Sequence, residues 1–145
     1  AVFWLDKTIN LDPLIPKAYA SLGETYTLMG EYERGITILR KAVELSNNKP
    51  SVLAHLAYIY AKSGEKEKAI RILEELNERS RKEEMNSFTF VPISIGLENF
   101  YKAFALLNKS YEEKNSSLLL IKVEPMFYDL HDDHRFDKIV KKIRL

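Results

Sequence analysis

Cysteine is absent from this chain of 145 residues, which excludes a disulfide scaffold, thiol catalysis and cysteine-ligated zinc. Long apolar runs are also missing: stretches such as Leu118 to Ile121 are far shorter than the roughly 20 residues of a membrane span. Charge of one sign is missing too, because 22 basic and 21 acidic residues are interspersed. Nucleic-acid binding needs a dense basic face. The sequence therefore predicts a protein that binds neither membranes nor nucleic acid.

Recognisable catalytic motifs are lacking as well. The chain contains no phosphate-binding glycine loop, no nucleophile elbow and no paired helix carboxylates with a base. Its first letters, AVFWLDK, have no basic leader and reach Asp6 too early for a secretory signal. The absence of cysteine suits a reducing compartment. We therefore predict a cytoplasmic, non-catalytic protein that needs no cofactor.

A repeat with a period of 34 residues is the main feature that the sequence does contain. The offset aligns small residues and leucines in two columns: Ala1, Gly35, Ala69 and Ala103, and Leu5, Leu39, Leu73 and Leu107. It also pairs Tyr26 with Tyr60, Gly30 with Gly64 and Pro16 with Pro50. Matches in so many columns without a gap indicate a repeated structural unit.

Each unit is predicted to be a pair of helices. The first helix of each pair runs over 16–29 and 50–63, beginning at a proline and ending before a glycine, as helices favour. The second helix runs over 32–46 and 66–80, with apolar residues at three- and four-residue steps. Small residues such as Gly23 and Gly35 let the two helices of a pair approach closely.

The stretch AYASLGETYTLMGEYERGITILRKAVELSNNKP, residues 18–50, resembles the tetratricopeptide repeat. The columns that carry the resemblance are Tyr19, Leu22, Gly23, Tyr26, Gly30, Gly35, Leu39 and Ala42. The resemblance implies an all-α fold, a right-handed superhelical solenoid of helix pairs. It also implies a protein–protein interaction module rather than an enzyme.

The resemblance divides the chain into five parts. Residues 1–15 correspond to the second helix of a truncated repeat, 16–49 and 50–83 to repeats, 84–115 to a degenerate repeat and 116–145 to a C-terminal capping segment. Pro92 falls inside the first helix expected for the degenerate repeat, and an interior proline removes a hydrogen bond. We expect that helix to be irregular.

The segment KVEPMFYDLHDDHRFDKIVKKIRL has a resemblance of its own. It is similar to the tail that closes tetratricopeptide arrays in some bacterial multidomain regulators and signalling enzymes. Its matching positions are Lys122, Val123, Pro125, Phe127, Leu130, Asp133, Arg135 and Phe136. The alternative function is therefore a regulatory or sensory C-terminal domain of a larger signalling enzyme or transcription regulator.

The N-terminal letters suggest a fragment with an apolar edge. If Ala1 opens a second helix, the partner helix is missing, and a half repeat cannot bury Phe3 and Trp4 by itself. Repeat arrays need polar capping units at their ends. We therefore predict self-association through Phe3 and Trp4.

In tetratricopeptide repeats the first helix of each pair lines the concave groove, which implies a site for a protein or peptide segment. The residues projected onto that face are Lys17, Ser21, Glu24, Leu28, Ser51, His55, Tyr58, Lys62 and Phe88. Tyr58, Phe88 and Leu28 are the candidate anchors, and the charged residues tune specificity. Glu24 would repel a carboxylate, so the carboxylate clamp found in one subset of the family is not predicted.

The stretch DLHDDHRFDKIV, residues 129–140, is the remaining candidate for chemistry. Histidine and carboxylate ligands could hold a divalent metal, and His131 and His134 are weak candidates. Asp133, however, precedes an amphipathic run and is a favoured helix N-cap residue. The prediction is therefore a helix start rather than a metal or catalytic site.

Overall fold

The computed structural model of the protein describes the backbone of residues 2–11 and 16–143, and the side chains of residues 2–7 and 18–143. Its α-helices are α1 (Val2–Leu11), α2 (Pro16–Leu28), α3 (Tyr32–Leu45), α4 (Pro50–Lys62), α5 (Lys66–Ser80), α6 (Val91–Gly96), α7 (Phe100–Glu112) and α8 (His134–Ile143). Three 3₁₀-helices span Ser87–Phe90, Ser116–Leu120 and Pro125–Leu130. No strand occurs in these described ranges, and the predicted all-α solenoid is confirmed.

The two regular hairpins, α2–α3 and α4–α5, begin and end within one residue of the predicted bounds. Gly30 and Gly64 follow α2 and α4 with φ angles of 76° and 93°, a left-handed conformation that glycine adopts readily. In the first hairpin a Cβ on Gly35 would lie 2.9 Å from the carbonyl oxygen of Gly23. The absence of both side chains is what allows α2 and α3 to pack this closely.

The helix that follows α5 is irregular, as we predicted from the position of Pro92. It starts as the 3₁₀-helix Ser87–Phe90, where Asn86 Oδ1 accepts a hydrogen bond from the Thr89 amide at 3.2 Å. It continues as the short α6, with Pro92 in its first turn, where a missing N–H costs little. The proline therefore begins a new helix rather than interrupting one.

The C-terminal stretch, residues 116–143, packs around Phe127, whose side chain is fully buried. Ile121 and Leu130 are buried beside it, against Phe104 and Leu107 of α7. This cluster is separate from the one that α2 to α5 form around residues such as Leu39, Ala57 and Leu76. The described residues thus have two apolar cores in succession along the chain.

The last helix begins where the sequence predicted. Asp133 Oδ1 accepts a hydrogen bond from the Arg135 amide at 2.9 Å, so Asp133 is the N-cap of α8. Phe136 and Ile139 bury the apolar stripe of that helix.

The division of the chain into repeat units and a capping segment stays a prediction. None of the described helices has the length and apolar character needed to cross a membrane.

Candidate partner-binding groove

Helix α4 has two faces with different environments. Leu53, Leu56 and Tyr60 are buried in the core that α3 and α5 share with α4. At about 100° per residue, Ser51, His55 and Lys62 lie on the opposite side of the helix. This second face contacts α2 through His55 and the C-terminal stretch through Lys62, and it corresponds to the predicted groove.

The chain's own C-terminal stretch covers one end of this groove. Lys62 Nζ lies 2.9 Å from Asp129 Oδ2, and the ring of Phe88 lies 6.0 Å from the ring of Phe127. Tyr58 is only 6% exposed and belongs to the same cluster as Phe127. Tyr58 is therefore a core residue and not the exposed anchor that the sequence predicted, because residues distant in sequence cover it.

An open cleft of about 160 Å³ remains beside the covered end. It is lined by Ser51, His55, Asn86, Phe88, Thr89, Pro92, Ser117, Leu120 and Glu124. Three of these residues, Ser51, His55 and Phe88, were predicted from the repeat. We call this cavity the groove cleft.

A partly buried acid–base pair lies at the wall of the groove cleft, to which it contributes His55. His55 Nε2 is 3.0 Å from Glu24 Oε1, and each side chain is about a quarter exposed. Burial raises the pKa of Glu24 to about 7. Burial lowers the pKa of His55, and the charge of Glu124 partly opposes that change. Burial therefore favours the neutral form of both side chains. A neutral pair can form hydrogen bonds with a ligand but does not attract a charged group strongly.

The remaining predicted groove residues lie apart from the cleft on α2. Leu28 is 55% exposed, and Ser21 is half-buried with its carbonyl oxygen accepting a hydrogen bond from Thr25 Oγ1 at 2.9 Å. The side chain of Lys17 lies outside the described residues. Glu24 of α2 contacts His55, and this contact links the α2 face to the groove cleft.

Six cleft residues were not among the nine candidate site residues. Asn86, Thr89 and Pro92 come from the irregular third unit, and Ser117, Leu120 and Glu124 come from the C-terminal stretch. The sequence did contain a local signal for this helix start, because Asn86 is a favoured N-cap residue and lies three positions before Thr89. The three from the C-terminal stretch reach the cleft only through long-range packing, and the period of 34 residues does not extend to them.

Among the described residues, no group of three or more His, Asp or Glu side chains is arranged so that it could hold a metal ion. The ring of His131 packs against Tyr128 and Phe136, with centroid distances of 5.1 and 4.5 Å. His134 is 80% exposed. Asp133 instead binds Arg135 through both carboxylate oxygens, at 3.0 and 2.8 Å, and this pairing lowers the pKa of Asp133 to about 2.

A family model described as tetratricopeptide repeat matches residues 16–88, half of the chain, from the start of α2 into the Ser87–Phe90 helix. The chain belongs to the tetratricopeptide-repeat family. Repeats of this family generally mediate protein–protein interaction and typically act as non-catalytic scaffolds. No curated protein matches the chain. The matched region includes every predicted groove residue, from Lys17 to Phe88.

Proposed function

We propose that this protein is an interaction module that binds a segment of a partner protein in the groove cleft. The observation that carries the proposal is the cleft itself, a concave site between α4 and the C-terminal stretch with both apolar and polar walls. Such mixed linings, with a few placed polar groups, are typical of ligand sites. The groove end around Tyr58 and Lys62 is already filled by the chain and is not part of the proposed site.

The walls favour a particular kind of segment. Phe88, Pro92 and Leu120 offer apolar contact for one side chain of the partner. Glu124, whose charge acts on His55, favours a hydrogen-bond donor beside it and disfavours a carboxylate. The proposed ligand is therefore an extended peptide that places an apolar side chain next to an amide, hydroxyl or amine.

The test begins with peptides selected on the wild-type protein from a random peptide library. Ser51→Arg puts a large charged side chain at the exposed mouth of the cleft, so selected peptides should bind at least about tenfold more weakly. Ser80→Arg, an identical change at an exposed position of α5, is the matched control and should leave binding unchanged. Equal binding to Ser51→Arg and wild type would place the site elsewhere.

Self-association through α1 is a second proposal, with its own observation. Phe3 and Trp4 are 66% and 67% exposed, and their rings pack edge to face with centroids 5.2 Å apart. Exposed adjacent aromatic rings favour a protein contact. Light scattering over a concentration series tests this, because a strict monomer at high concentration would contradict it.

Two broader predictions also stay open to test. A role as the regulatory or sensory C-terminal domain of a larger signalling enzyme or transcription regulator is tested by the sequence of the full gene. A cytoplasmic location is tested by cell fractionation with an antibody against the protein.

A further inference from the structure

A second cleft lies on the side of α4 opposite the groove. It is lined by Arg40 and Val43 of α3, Leu53, Leu56 and Tyr60 of α4, and Lys68, Arg71 and Ile72 of α5. Its volume is about 420 Å³. We call it the outer cleft. Since its α4 residues point away from Ser51 and His55, a ligand there would not touch the groove cleft.

The outer cleft combines an apolar floor with a basic rim. Arg40 and Arg71 are exposed, and neither forms an ion pair within the part of the chain that the structure describes. The acid one turn beyond Arg40, Glu44, lies 3.9 Å from Lys41 instead. Lys68 pairs with Glu65 at 2.8 Å and lies over the ring of Tyr60. Two arginines thus remain available for an acidic ligand.

The preceding repeat shows that the fold does not require these arginines. An equivalent cleft there is lined by Tyr26, Glu33, Arg34, Thr37 and Ile38. Arg34 stands where Lys68 stands in the outer cleft and pairs with Glu31 in the same way, at 3.5 Å. The column of Arg71, however, holds Thr37 and Ala105, and the column of Arg40 holds Glu74 and Asn108. The repeated packing is preserved without arginine at either position.

We infer that the outer cleft binds an acidic protein segment in which apolar side chains alternate with carboxylates. Charge complementarity supports this occupant, because arginine presents paired N–H donors that match a carboxylate. The apolar floor of the outer cleft is formed by Val43 of α3, Tyr60 of α4 and Ile72 of α5. It contacts the apolar side chain of the bound segment. A single site with two free arginines suits a protein segment better than nucleic acid, which needs an extended basic surface.

The test measures fluorescence anisotropy of a short labelled peptide of alternating glutamate and leucine. The paired change Arg40→Glu and Arg71→Glu should weaken its binding at least about tenfold. The control, Lys82→Glu with Lys122→Glu, makes the same change in net charge at exposed positions outside the cleft and should change binding less than about threefold. Arg40→Gln with Arg71→Gln gives the same answer without charge reversal if the first variant fails to fold.

Several outcomes would overturn the inference. The first is that the wild type does not bind the acidic peptide, and the second is that the lysine control loses as much affinity as the arginine variant. The other two are that the wild type binds a glutamine–leucine peptide, or duplex DNA, as tightly as the acidic peptide. Ser51→Arg should leave acidic-peptide binding intact, so this site and the proposed groove site can fail independently.

Discussion

The paired helices α2–α5 and the region after them, residues 87–143, bury apolar surface in different ways. The first region uses long helices and small residues such as Gly23, Gly35 and Ala69, so that helices touch along their length. The second combines one long helix, α7, with short helices that pack around one large side chain, Phe127. The first kind of core repeats along the sequence, whereas the second is made once and also fills one end of the groove.

The most damaging single change we expect is Phe127→Ala. Its side chain is fully buried, and removing a buried phenylalanine ring costs about 3–5 kcal/mol in the free energy of unfolding. Urea unfolding gives the total loss, and hydrogen exchange locates it. If the two cores are distinct, amides of α6 to α8 should lose protection before those of α4 and α5.

Tyr128→Ala is the matched control for that prediction. Tyr128 is the next aromatic residue along the chain but is 52% exposed, so its removal should cost less than about 1 kcal/mol. A uniform loss of protection throughout the chain in Phe127→Ala would show that the two cores unfold as one unit.

A smaller effect is expected for Gly35→Ala in the first hairpin. The added Cβ would meet Ile59 Cδ1 and the carbonyl oxygen of Gly23, and overpacking of this kind costs roughly 1–3 kcal/mol. The carbonyl oxygen belongs to a helix backbone and cannot move aside as a side chain can. Thermal or urea unfolding measures the change.

The control lies in the same repeat column of the second hairpin. Ala69→Gly removes a fully buried methyl group and should cost about 1–2 kcal/mol, through lost helix propensity and lost burial together. Stabilisation by Gly35→Ala would mean that α2 and α3 can separate without loss, against the close packing described above.

The sequence predicted the periodic region well because periodic packing leaves a periodic pattern. Helices α2 to α5 follow directly from the spacing of Pro16, Gly30, Pro50 and Gly64. The irregular start of the third unit followed from Pro92, and the start of α8 from Asp133. Each of these predictions depended on a local rule for helix ends.

The candidate site was predicted less well because part of it is not local. Ser51, His55 and Phe88 could be placed from the repeat, but Tyr58 could not be recognised as buried. Phe127, a member of the same buried cluster, lies far along the chain in a 3₁₀-helix outside the repeat. The tail resemblance predicted that a segment would close the array, without predicting which groove residues it would cover.

The subtlest effect we expect is a change in pH dependence in Glu24→Gln. The pKa of Glu24 rises from its ordinary 4.5 to about 7 on folding. Between these two values the unfolded chain ionises first, so this group lowers the stability of the fold as pH rises from 4.5 to 7. His55 acts in the opposite sense: its lowered pKa reduces stability as pH falls below 6.5.

Only the first of these two contributions disappears in Glu24→Gln. The free energy of unfolding of the variant, relative to wild type, should therefore increase by about 1–2 kcal/mol from acidic to mildly basic pH. The full pKa shift would give more, but the Glu24 side chain is a quarter exposed to solvent. Urea unfolding at several pH values measures the trend.

Glu33→Gln, which removes an exposed carboxylate of α3, should keep the wild-type trend. Parallel pH curves for wild type and Glu24→Gln would mean that Glu24 is ionised in the folded protein, and the groove cleft would then favour a cationic partner segment.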